Sequence, residues 1–228
     1  MNGHARSALV VGGYGALGTA ISEDLAAQGW HVMRTSRTPR PADQAALVLD
    51  EGAIERLPEL GAAVWAQGTN VNDTLGRHDP DELRRVLDVN VATVADQMQA
   101  LLAAGRLREG ARLVIISSIW EQIARPAKLS YTVSKAALGG LVRTAAMDLA
   151  PRRMLVNAVL PGVVDTPMTR GVLSQAQVAA FEDATGWGRL VRPADVAAVV
   201  SFLVSPRNTG VTGQSITVDL GYSVGRQL

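Results

Sequence analysis

The chain has 228 residues, with 22 basic against 21 acidic side chains for a formal net charge of +1, 47% hydrophobic residues, 22 glycines and no cysteine. That balance describes a compact domain able to bury a large core, and it excludes a disordered chain, a disulfide scaffold, thiolate catalysis and a sulfur-held metal. The histidines at 4, 31 and 78 lack ligand spacing, so no metal site is expected, and a near-neutral chain offers no basic stripe for nucleic acid.

Short β-branched runs at 8–11, 31–35, 46–49, 62–66, 112–117, 154–159 and 214–218 alternate with amphipathic stretches at 16–28, 81–104, 130–150 and 193–204. This order predicts an α/β fold, a doubly wound seven-stranded parallel sheet with helices on both faces, in a single domain over 1–228. Pro80 and Pro193 stand as first-turn prolines and Gly29 as a stop. The connection 51–61 has room for little more than one or two helical turns. An insertion at about 167–192, with one short amphipathic piece at 174–183, follows the sixth strand, where such folds place substrate-covering loops; a plain surface excursion is the alternative. No apolar run approaches the roughly 18 residues of a membrane span, and residues 1–6 hold no signal core, so the expected location is the cytoplasm, with no membrane partner.

The first strand enters the first helix through Gly12-Gly13-Tyr14-Gly15-Ala16-Leu17-Gly18. Backbone N–H groups of Gly12, Tyr14, Gly15, Ala16, Leu17 and Gly18 and the positive helix end converge where a pyrophosphate could sit, although loops also use glycine for positive φ alone. The second strand closes on Arg34-Thr35-Ser36-Arg37, with no acid to hold an adenosine ribose. Arg37 with the Ser36 hydroxyl suits a 2′-phosphate, which favours NADP(H) over NAD(H); a solvated Arg37 is the alternative. Asp50, closing the third strand, is placed either to reach an adenine edge or to cap the following turn.

Ser118 ends the fifth strand, and Tyr131 and Lys135 follow four residues apart on the helix at 130–150. That spacing stacks both side chains on one face, so the ammonium favours the phenol's anion and the pair can give or take a proton near neutral pH. A buried tyrosine beside a solvated lysine is the plainer alternative.

With these residues in place, the chain resembles the short-chain dehydrogenase/reductase family over about 8–221. Beyond Ser118, Tyr131 and Lys135, Asp88-Val89-Asn90-Val91 is similar to the family's helix asparagine. Val156-Asn157-Ala158-Val159-Leu160-Pro161-Gly162, followed by Val164 and Thr166, is similar to its nicotinamide-side segment, and Val211-Thr212-Gly213-Gln214 to Asp219-Leu220-Gly221 to its last strand. The resemblance implies a Rossmann-like fold and a reversible conversion of a small-molecule ketone or 3-oxoacyl carbonyl to an alcohol. Tyr131 would donate the proton, Lys135 would lower the tyrosine pKa and hold the nicotinamide ribose, and Ser118 would bind the substrate oxygen. Asn90 would support a water relay to Lys135, while Ala66, Gln67, Gly68, Pro161, Gly162, Val164 and Thr166 would line the cofactor. The family also implies a homo-oligomer, dimer or tetramer, with the tetramer favoured and the small residues Ala136-Ala137-Leu138-Gly139-Gly140 allowing close helix approach.

Four departures stand out. Ala16 occupies the middle-glycine position, as in dihydropteridine reductase, a relative that lacks the catalytic serine, so its pterin substrate does not transfer. Trp65 and Ala66 replace two asparagines, Trp65 reading as core packing; Leu220 replaces a glycine; and 51–61 is short. Trp120 either walls a substrate or plugs a subunit contact, Gln122 is a candidate substrate partner, and Arg125, Trp187 and Arg189 are candidates to meet a carboxylate or acyl carrier. A non-catalytic dinucleotide-binding regulator is the rival class, against which the intact Asn90, Ser118, Tyr131 and Lys135 speak. A sugar-nucleotide epimerase would need a substantial C-terminal substrate domain, and few residues follow Gly221.

Overall fold

Alternating contacts along the first strand, β1 (Arg6–Val11), explain its unbroken apolar sequence. Leu9 and Val11 join one buried cluster with Ala63, Trp65 and Ile115, while Ala8 and Val10 join another on the opposite face with Val64 and Val114. A strand covered on both faces has no polar side to show. The computed structural model describes residues 6–37 and 49–225. Within them β1, β2 (Trp30–Arg34), β3 (Leu60–Trp65), β4 (Leu107–Ile116), β5 (Leu155–Pro161) and β6 (Ser215–Val218) form one six-stranded sheet in the order β2-β1-β3-β4-β5-β6. Every pairing is parallel. The strand expected at 46–49 lies outside the described residues save for Leu49. β4 begins earlier than expected, with a register shift against β3 between Leu60 and Ala62.

The helices are α1 (Ala16–Ala27), α2 (Glu51–Arg56), α3 (Pro80–Leu87), α4 (Thr93–Ala103), α5 (Leu129–Asp148), α6 (Pro167–Val172), α7 (Gln175–Asp183) and α8 (Pro193–Val204). α1 and α8 cover one face through Ile21, Leu25, Val196 and Val200; α2, α4 and α5 cover the other through Ile54, Met98, Leu101, Leu138 and Val142. Each such fully buried aliphatic side chain contributes about 1.5–3 kcal/mol. Gly29, at φ 84°, ends α1 in a left-handed conformation that a side chain resists.

Two further features differ from expectation. The single helix expected over 81–104 is α3 and α4 joined by a π turn, Asp88–Ala92. The 167–192 insertion holds a second helix, α6, which Thr166 starts by accepting a hydrogen bond from Thr169 N at 3.1 Å. No helix among the described residues is long and apolar enough to cross a membrane. Because β1 lies between β2 and β3, the chain reverses its winding direction there, and the crevice that results opens at the carboxyl ends of the strands.

Candidate active site

The sequence-derived residues come together along that carboxyl edge. Gly12 to Gly18 follow β1, Ser36 and Arg37 follow β2, Ala66, Gln67 and Gly68 follow β3, Ser118 follows β4, and Gly162, Val164 and Thr166 follow Pro161 of β5. In the turn after β1, Gly12 sits at φ 74°, and a Cβ on it would meet Gln67 N at 2.9 Å. A Cβ on Gly18 would collide with the Gly12 carbonyl oxygen and stand 2.8 Å from Gly13 Cα. These glycines let the turn fold on itself.

Gly15 caps α1 with no side chain and no acid lies in the helix's first turn, so its leading N–H groups remain free of side-chain acceptors. That is the donor set a pyrophosphate needs, and a dinucleotide fits it. Ala16, in the middle-glycine position, is exposed, so its methyl meets no tight packing within the described residues. Arg34, which sequence reasoning passed over, braces the turn. Its Nε donates to Gly13 O at 2.8 Å, its guanidinium donates to Thr19 Oγ1 at 2.9 Å, and it stacks 4.1 Å from the Tyr14 ring centroid. The signal was a cation inside a strand otherwise apolar at its core-facing positions.

Thr35 O accepts from Gly13 N at 3.2 Å, which keeps the end of β2, and so exposed Arg37 and half-buried Ser36, beside the turn. Asp50 takes the capping alternative: its Oδ1 accepts from Ala53 N at 2.7 Å at the start of α2. Gly162 lies hard against Asp219, whose Cβ would stand 2.9 Å from an added Cβ. Val164 pairs with Val191 in an isolated bridge that ties the insertion back to the end of β5.

Tyr131 is half-buried near the amino end of α5; desolvation of its phenol pushes the pKa up, and the Ser118 side chain pulls it down. Lys135, one turn along, is 4% exposed and donates from Nζ to Ile116 O at 3.1 Å. Burial lowers its pKa to about 8, with the Glu121 charge acting in the opposite direction. Its Nζ stands 5.6 Å from the Tyr131 ring centroid, and the Nζ of Lys128 stands at the same distance. The ammonium is engaged by a carbonyl of β4, and the Ser118 side chain favours the phenolate.

Asn90 lies in the π turn, 1% exposed. Its Oδ1 accepts from Thr69 N at 2.8 Å, and its Nδ2 donates to Thr69 O and to Ser134 Oγ, each at 2.9 Å. Both amide hydrogens are engaged, so Asn90 braces the segment after β3 against α5 and has no free side-chain donor for the implied relay. Gly68 lies in that segment, and a Cβ there would stand 3.4 Å from Asn90 Oδ1 and 3.7 Å from Lys135 Nζ.

Trp65 is fully buried and donates from Nε1 to Gln97 Oε1 at 3.1 Å, which makes it a core residue. Trp120 is 8% exposed and packs edge-on to Tyr222, 6.4 Å between centroids, so it is a wall within the chain rather than an outward plug. Arg189 is paired with Asp195 at 2.7 Å and helps start α8, which removes it from the candidates for an anionic ligand. Gln122 lines a polar hollow of about 430 Å³ with Gly139, Arg143 and Gln214, not with Ser118, Tyr131 and Lys135. Leu220 has φ 56°, which explains why a glycine is at home in that position.

A glycine-rich turn at the sheet's reversal point, with a serine, a tyrosine and a lysine on the same carboxyl side, is the arrangement of a class of α/β oxidoreductases. The sequence model for the family described as Enoyl-(Acyl carrier protein) reductase matches residues 51–223. The chain is 31% identical to human Dehydrogenase/reductase SDR family member 4, over 94% of this chain and 86% of that protein. It is 28% identical to the 3-oxoacyl-(acyl-carrier-protein) reductase FabG of Escherichia coli, over 97% and 98% of the two chains. Among solved structures, a short-chain dehydrogenase/reductase from Serratia marcescens superposes with a TM-score of 0.86 at 27% identity, covering 96% of this chain and 98% of that one. The chain belongs to the short-chain dehydrogenase/reductase family, whose enzymes are oxidoreductases that use nicotinamide dinucleotides.

Proposed function

We propose that this enzyme reduces the carbonyl of a small-molecule ketone or 3-oxoacyl substrate to an alcohol, with NADPH preferred to NADH and Tyr131 as the proton donor. The observation that carries this reading is the half-buried Tyr131 phenol beside the Ser118 side chain, with Lys135 one helical turn away. Bound along the carboxyl edge, the dinucleotide supplies the hydride. The chain does the rest: the turn from Gly12 to Gly18 holds the pyrophosphate, and Ser36 and Arg37 hold the 2′-phosphate. Gln67, Gly68, Gly162 and Thr166 flank the nicotinamide side.

Ser118 donates to the substrate oxygen as negative charge gathers on it. Tyr131 passes its proton to that oxygen, so the carbonyl carbon gains a hydride and the oxygen a proton, and the resulting phenolate is reprotonated from the Lys135 side. A phenol whose pKa is raised stays protonated at neutral pH, which suits reduction more than oxidation. The segment 167–192, with α6 and α7, covers the substrate. The α5 face, where Ala136 and Ala137 are exposed and Met147 is 74% exposed, supports pairing with a second copy in a homotetramer working in the cytoplasm. A light-scattering mass of one subunit overturns the assembly.

A panel of ketones, 3-oxoacyl thioesters and quinones, offered with NADPH and with NADH, tests the activity by loss of cofactor absorbance. Tyr131→Phe is expected to lower kcat by about 100-fold or more while binding NADPH as the parent does. Full turnover by Tyr131→Phe would falsify the assignment.

A further inference from the structure

Two residues with unpartnered polar atoms line one hollow at the amino end of α5. Among the described residues, four buried side-chain polar atoms have no hydrogen-bond partner, and two of them, Arg125 Nε and Thr132 Oγ1, belong to residues that line one cavity of about 450 Å³. Lys128 lines it too, with its Nζ donating to Asn70 Oδ1 at 2.7 Å and standing 5.6 Å from the Tyr131 ring centroid. The acid in the lining, Asp73, is already spent: its carboxylate accepts from Ser130 N at 3.0 Å and from the Ser130 hydroxyl. Arg125 has no ion pair or hydrogen bond among the described residues. It is held by rings instead, 5.8 Å from the Trp120 centroid and 5.9 Å from that of Phe181 on α7. Tyr222 joins those two rings, 6.4 Å from Trp120 and 5.9 Å from Phe181.

A guanidinium kept partly out of water by aromatic rings recovers some of its lost hydration through cation–π attraction, and none through hydrogen bonds. An anion would supply the missing acceptors. The position decides whose anion it is. Arg125 joins the hollow to the Trp120 ring, two residues from Ser118, and Lys128 joins it to the Tyr131 ring, so the charge lies on the side of the hollow nearest the proposed reaction site.

We infer that this hollow is the subsite for a carboxylate carried by the substrate, with Arg125 as its principal partner and Thr132 and Lys128 beside it, so that the enzyme acts on oxo acids and the matching hydroxy acids. The inference rests on the reductase function proposed above. A monoanion matches the charge available. Arg125 is the cation without an acceptor, since the Lys128 ammonium already donates to Asn70 Oδ1. The rest of the lining, including Leu75, Pro126, Leu129 and Val133, is apolar and suits the carbon chain between carbonyl and carboxylate.

The test is calorimetric titration of the protein, with and without saturating NADP⁺, using 3-oxobutanoate, 4-oxopentanoate and 5-oxohexanoate against their methyl esters. At least one acid is expected to bind tenfold or more tightly than its ester, and Arg125→Met to abolish that ratio while Arg125→Lys keeps part of it. Failure of every acid to exceed its ester by tenfold, including failure of all to bind, overturns the inference, as does a ratio that survives Arg125→Met. If Arg125→Met does not fold by circular dichroism, Arg125→Gln takes its place with the same criteria. Dihydroxyacetone phosphate gaining more over dihydroxyacetone than any acid gains over its ester also overturns it. Turnover does not enter this readout, so loss of the reductase function by the Tyr131→Phe criterion and loss of the carboxylate subsite are separately visible.

Discussion

Replacing Lys135 by Met should stabilise the fold at neutral pH relative to high pH while destroying turnover. In the unfolded chain Lys135 titrates near 10.5, and in the folded one near 8, because burial disfavours its charge. At about 1.4 kcal/mol per pH unit, carrying that buried ammonium costs the native state about 3 kcal/mol at pH 7. A base with a depressed folded pKa binds fewer protons when folded, so stability rises with pH between 8 and 10.5 and is lost again as pH falls through 8.

Lys135→Met removes this dependence. It also strips Ile116 O of its donor, at a cost of about 1–3 kcal/mol that does not vary with pH. The decisive quantity is therefore a difference of differences. Urea unfolding of parent and variant, at pH 7 and at pH 10, should show the variant's relative stability higher at pH 7 by roughly 2–3 kcal/mol. A change below about 1 kcal/mol, or one of opposite sign, would refute the reasoning that the lysine is held charged against its surroundings.

Other outcomes follow from the same geometry. Gly18→Ala drives a methyl into the Gly12 carbonyl and should cost about 1–3 kcal/mol and weaken NADPH binding at least tenfold; wild-type affinity measured by cofactor fluorescence would rule out the folded turn as drawn. Arg37→Ala should weaken NADPH by about 10–100-fold and leave NADH nearly unchanged, as read by the two dissociation constants, whereas equal losses would return Arg37 to the solvated surface. Glu121→Gln removes the charge that raises the Lys135 pKa, so the Lys135 limb of the pH profile of kcat/KM should move below about 8; an unmoved limb removes Glu121 from the site's electrostatics.

The sheet was legible because parallel strands covered on both faces must be apolar throughout, and β1, β3 and β5 stand out from their flanks for that reason. Tyr131 and Lys135 were legible because helical spacing fixes who neighbours whom. The π turn around Asn90 was not, since nothing in Asp88-Val89-Asn90-Val91 distinguishes five residues per loop from four; the brace to Thr69 and Ser134 shows it only in three dimensions. Direction of electrostatic influence was also hidden. Spacing put an ammonium beside a phenol, but only the folded chain brings Nζ to Ile116 O. Arg34, Arg125 and Asp50 make the same point: a charged residue's sequence position says little until its partners, or their absence, are visible.

Transfer of label from cofactor to product tests the proposed chemistry most directly. The enzyme is given a ketone that it turns over and NADPH carrying deuterium at both C4 positions, and the alcohol is analysed by mass spectrometry, for the parent and for Tyr131→Phe at equal cofactor occupancy. One deuterium on the carbinol carbon from the parent, with little alcohol from the variant, is the predicted result. Alcohol without deuterium, or labelled alcohol formed equally fast by Tyr131→Phe, contradicts it.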